Sequence, residues 1–160
     1  MPYVLESMLR IRTMREDHAS AELAAARQKV REAEQVLEER KEELRRYEET
    51  KEERRTRIYA AVMGHAISRD ELDRVLEGVA RIDQEGNLKA DNVAMATGEL
   101  EKKKEDAEKA HGVFVIATKE RMKITEHKAE WTAEEAAEQE RRAEIELEDF
   151  TGKKNTEGRT

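Results

Sequence analysis

The run LDRVLEGVARIDQEGNLKADNVAMATGELEKKKEDAEKAHGVFVIATKERMKITEHKAEWTAEEAAEQERRAEI, Leu72–Ile145, decides the fold. Leu72, Val75, Val79, Ile82, Gly86, Lys89, Val93, Ala96 and Leu100 open a spacing that alternates three and four residues. Lys103, Ala107, Ala110, Phe114, Ala117, Arg121, Ile124, Lys128, Trp131 and, more polar, Glu135, Glu138, Arg142 and Ile145 continue it without a skip. A repeat of 3.5 residues keeps one seam against a partner helix while the other faces stay in water. The spacing predicts one continuous helix over about 68–150, about 110 Å long for Leu72–Ile145 at roughly 1.5 Å per residue.

A second register precedes it. Leu9, Leu23, Val30, Leu37, Leu44 and Ile58 form one row, and Ala19, Ala26, Ala33, Tyr47 and Ala61 a companion row. This predicts a first helix over about 3–63, with Pro2 admissible in its first turn, where the missing N–H costs nothing. Arg12, Glu16, Arg40, Lys51 and Arg54 interrupt the seam, and such polar positions fix register at some cost in stability. Gly64 is placed for a left-handed C-cap, and Ser68-Arg69-Asp70-Glu71 has the form of a capping box. A stop and a start so close leave a turn at 64–67, and short connections give antiparallel neighbours. The expected fold is all-α, a long two-helix antiparallel coiled-coil hairpin over 1–150. Its layers join residues whose numbers sum to roughly 132: Ile58 near Val75, Leu37 near Ala96, Leu23 near Ala110, Leu5 near Lys128. Helix one is exhausted there, so the segment after Trp131 should overhang. Gly86-Asn87 is the place where helix two could break, because each interior glycine costs about 1 kcal/mol against alanine. Residues 151–160 lose the periodicity and are expected to form a flexible tail.

Composition supports this reading. Of 160 residues 43% are charged and only 4% aromatic, which suits a narrow shared seam rather than a thick core. A net charge of −7 argues against nucleic acid as the main ligand. No apolar run reaches the roughly 18 residues of a membrane span, and the N-terminus lacks the order of a signal peptide. With no cysteine there is no disulfide framework, and a cytoplasmic location is the default.

Chemistry is sparse. Glu108-x-x-His111 is the one metal-like spacing, and bundles that hold metal through it need it on two helices. His18, His65, His111 and His127 share no ligand spacing, and there is no phosphate-binding G-x-x-x-x-G-K-[ST] loop. No active site, metal or cofactor is expected, and the carboxylates read as a solvated face. Three features exceed what a hairpin needs. Trp131 either caps the open end or stands exposed as an interface anchor. Leu72, Val75, Leu76, Val79 and Ile82 make either a small tip core or a docking surface. Gly112-Val113-Phe114-Val115-Ile116 is apolar on all sides and calls for burial on all sides.

Tyr3, Leu5-Glu6, Leu9, Ile11-Arg12 and Arg15, the turn after about 64 residues, and His127-Lys128-Ala129-Glu130-Trp131 resemble the YscO/FliJ proteins of type III secretion, closest to the YscO/CdsO branch. The resemblance covers Pro2 to about Phe150. It implies a non-enzymatic central stalk, cytoplasmic and peripheral at the inner-membrane secretion apparatus. Such a stalk inserts in the pore of a hexameric secretion ATPase, promotes its assembly and activity, and contacts the export gate and secretion chaperones. It also implies a monomer when alone. Leu5, Leu9, Arg12, Arg15 and Trp131, with the overhang to Phe150, would then meet the ATPase, and Leu72, Leu76 and Val79 the gate. The alternative is a self-associating structural spacer or tether built on the same apolar surface.

Overall fold

The first helix begins later than its heptads suggest. In the computed structural model, which describes residues 2–158, α1 spans Glu6–Ala60 and α2 spans Arg69–Glu157. Met1, Arg159 and Thr160 lie outside the described residues, and with them the two ends of the expected hairpin and tail. Pro2 therefore stands before α1 and not in its first turn. The Tyr3 carbonyl accepts the Glu6 N–H at 3.2 Å in a preceding turn, and the Tyr3 ring is buried. At the other end the last α1 carbonyls accept from Ala61, Val62 and Met63. Gly64 then takes a positive φ of 84°, the left-handed conformation that glycine adopts without a Cβ penalty. The Ser68 hydroxyl accepts the Glu71 N–H at 3.2 Å and caps α2.

Contacts divide the chain into two compact units, Met1–Ala21 with Gly112–Thr160, and Glu22–His111. In each, a segment of α1 lies antiparallel to a segment of α2. In the Glu22–His111 unit, Leu37, Ala96 and Leu100 form a buried cluster with Val30, Ala33 and Val93 packed against it. Leu23, Tyr47, Val75 and Ile82 are the other buried apolar residues of this unit. In the unit that carries the termini, Tyr3, Ala19, Ala117 and Ile124 are buried. Every α2 position of the expected seam from Val75 to Glu138 is buried or half-buried, whereas Leu72, Arg142 and Ile145 are exposed. Among the described residues no large side chain is fully enclosed, as expected where two helices share one stripe.

Polar residues in the α1 seam find partners on α2, except Arg40, which is exposed and pairs with Glu43 on its own helix at 3.3 Å. Within the terminal unit Arg12 donates to the Glu120 carbonyl at 2.9 Å, and Arg121 pairs with Glu16 at 2.5 Å. Within the Glu22–His111 unit Arg54 reaches Glu85 at 3.2 Å, and Lys51 and Arg55 converge on Asp83. These pairs discriminate against slipped registers, because a shift would leave half-buried charges unpaired. Along the outer face of α1, Arg45 and then Arg46 hold the Glu42 carboxyl down at about 2.

Helix α2 runs through Gly86 without a break, and the reason lies on α1. The Tyr47 hydroxyl donates to the Ile82 carbonyl, which brings the ring against α2 one turn further on. A Cβ built on Gly86 would sit 3.0 Å from Tyr47 Cε1. Arg54 and Lys89 lie 5.6 and 5.8 Å from the ring centroid and flank it. Glycine at 86 thus makes room for a ring.

Two outcomes test this packing. Gly86→Ala gains about 1 kcal/mol of helix propensity, but the tethered ring cannot yield, so the variant should lower the melting temperature. With Tyr47→Leu as background the same change should raise it, and thermal unfolding of the four proteins reads the reversal directly. Leu23→Glu places a charge in the seam and should cost about 2–4 kcal/mol in denaturant unfolding.

Candidate functional site

Side chains that the two-helix seam leaves over gather in two places. The first is in the unit that holds both chain ends. There Tyr3 is the centre of a small cluster: its ring lies 5.2 Å from Trp131 and 5.8 Å from His127, centroid to centroid. The Tyr3 hydroxyl and His127 Nδ1 share a hydrogen bond of 2.5 Å. Lys128 pairs with Glu6 at 2.8 Å beside it. Trp131 is half-buried and in contact with its own chain, as a residue closing the open end of a helix pair would be.

Leu5, Leu9 and Arg12 are likewise half-buried, and Arg12 spends its guanidinium on Glu120. Of the residues singled out at this end, Arg15 alone is exposed. The apolar surface instead comes from Val4, Met8 and Ile11, all exposed, spaced four and three residues apart and one position ahead of the seam. Their spacing is visible in the sequence, but the stronger adjacent row of Leu5 and Leu9 masks it. On α2 of the same unit, Val113 and Ile116 are 58% and 60% exposed, while Phe114 and Val115 are half-buried. The continuous apolar run is thus split between seam and surface. Beyond Glu138 α2 has no cover: each described residue from 139 to 158 is exposed, Ile145, Leu147 and Phe150 among them.

The second place is beside the turn, in the Glu22–His111 unit. Val75 and Ile82 are buried and Val79 half-buried, whereas Leu72 and Leu76 stay 45% and 53% exposed. Exposed Tyr59 and Met63 lie at the end of α1 and in the turn of the same unit. The broad stripe therefore serves both uses, one edge packing the tip and the other facing water. Among the described residues no group of three or more His, Cys, Asp or Glu is placed to hold a metal ion, and no helix is long and apolar enough to cross a membrane.

The family model of the type III secretion protein YscO matches residues 5–153, which takes in α1 and nearly all of α2. No curated protein and no solved structure gives a significant match.

Trp131 is the single tryptophan, so its emission reports the terminal cluster alone. Tyr3→Ala should shift that emission to the red and raise its quenching by acrylamide. The midpoint of unfolding should move by no more than about 1–2 kcal/mol, because the seam cluster at Leu37 does not involve Tyr3.

Proposed function

The chain belongs to the YscO family of type III secretion proteins, and on that premise we propose that it is the central stalk of a hexameric secretion ATPase. In this reading the unit with both termini enters the ATPase ring, promotes its assembly and raises its activity. The turn-proximal surface meets the export gate, and the same molecule links the ring to secretion chaperones. It works as a monomer, in the cytoplasm against the inner-membrane apparatus, and carries out no chemistry itself. The observation that supports this most directly is the terminal unit, where α2 continues to Glu157 past its last packed layer and exposes Ile145, Leu147 and Phe150. Apolar side chains on a helix without a neighbour are surface that a surrounding partner can bury.

Contacts to the ATPase are assigned to Val4, Met8, Ile11 and Arg15 together with the uncovered end of α2. Leu5, Leu9, Arg12 and Trp131 act behind them by holding the helix pair in register. Contacts to the gate are assigned to Leu72 and Leu76, with Val79 packed beneath. The competing reading, a self-associating spacer, draws on the exposed Val113 and Ile116 and makes opposite predictions.

Added below one copy per hexamer, the chain should stimulate hydrolysis by the ATPase of its own secretion system while sedimenting alone as a monomer. Met8→Glu with Ile11→Glu should reduce that stimulation at least about tenfold at unchanged helix content, since each charge must be desolvated at the contact. Leu72→Glu with Leu76→Glu should leave stimulation intact and weaken binding to the export gate. Stable dimers at micromolar concentration with no effect on hydrolysis would establish the spacer instead.

A further inference from the structure

One side of the Glu22–His111 unit carries a furrow along the edge of the seam that the stalk reading does not use. It consists of two adjoining depressions of about 410 and 180 Å³ that share Lys29 and Lys103. The floor is Ala26, Ala33, Val36, Ala96 and Ala110, with Val36 43% exposed. On α1 the furrow extends from Glu22 to Val36, about 21 Å at roughly 1.5 Å per residue, the length of about four helical turns. Alanines on both walls allow a third backbone to approach closely, and a groove between two helices is where an amphipathic helix seats its apolar face.

Charge along the rim decides what fits. Glu22 and Asp106 stand at one end, Lys29 and Lys103 in the middle, Glu32 and Glu99 beyond them. Glu99 has a lysine partner in Lys102 at 3.6 Å. Among the described residues neither Lys29 nor Lys103 has a carboxylate partner. The two central lysines thus flank an apolar floor without a close ion pair to this chain. A second copy laid across the furrow about a two-fold axis at the lysines would set ammonium on ammonium and carboxylate on carboxylate, which is unfavourable. A helix with a carboxylate in the middle and basic residues a turn to either side would meet opposite charge at each level.

We propose that this furrow is a docking site for one amphipathic helix of a partner protein, with a small apolar stripe and the charge order basic, acidic, basic at successive turns. The inference does not depend on the ATPase or gate assignments, which lie on other residues.

The test uses the full chain and two capped synthetic helices of about 18 residues. They share an Ala/Leu stripe and differ only in rim charges, Lys-Glu-Lys in one and Glu-Lys-Glu in the other. By fluorescence anisotropy the first should bind at least about tenfold more tightly, with the gap narrowing as salt is raised. Lys29→Glu with Lys103→Glu should narrow the preference without loss of helix content, because only the central level changes sign, and Val36→Lys should weaken both peptides. Equal affinities, no binding of either peptide up to about millimolar, or an unchanged preference in the double variant would overturn the proposal. So would concentration-dependent self-association abolished by Val36→Lys, which would give the furrow to a second copy.

Discussion

Everything in this structure depends on how little surface two helices can share. A seam recurring every 3.5 residues offers one side chain per layer from each partner, so the gain from burial is spread thinly along many layers. No layer carries the fold, and errors of register must be excluded at many places at once. Half-buried ion pairs do this in both units, Glu16 with Arg121 in one and Asp83 with Lys51 and Arg55 in the other. Tyr47 adds a directional bond from a side chain on α1 to a backbone carbonyl on α2, a fixed point that apolar packing alone would not give.

The same economy separates what can be read from the sequence from what cannot. The seam positions of α2 from Val75 to Glu138, the Gly64 cap and the Ser68 cap follow from spacing and local backbone chemistry, and the structure has them where expected, whereas the outlying Leu72, Arg142 and Ile145 are exposed. The role of Gly86 was hidden, because a glycine costs helix stability in isolation and only the ring of Tyr47 across the interface explains it. Tyr3 was hidden for a different reason. It precedes the helix, so helical periodicity says nothing of its position, yet it is buried against Trp131.

The candidate contact residues show a related effect. A strong apolar row marks what a helix buries against its own partner, so Leu5, Leu9 and Trp131 are used up internally. Exposed apolar side chains sit one position off that row, at Val4, Met8 and Ile11. Beside the turn the stripe is wide enough to divide, and of the residues picked out there from sequence Leu72 and Leu76 are exposed while Val79 is half-buried.

Helix α2 continues to Glu157 although heptad order fades after Phe150. Heptads report a neighbour, not helicity, and a helix already nucleated by packing extends at one hydrogen bond per residue with no new nucleus to form. Such an end melts residue by residue from its tip instead of in one step, so its ordered length follows temperature and surroundings. Whatever clasps it sets, by the act of clasping, how far the helix reaches.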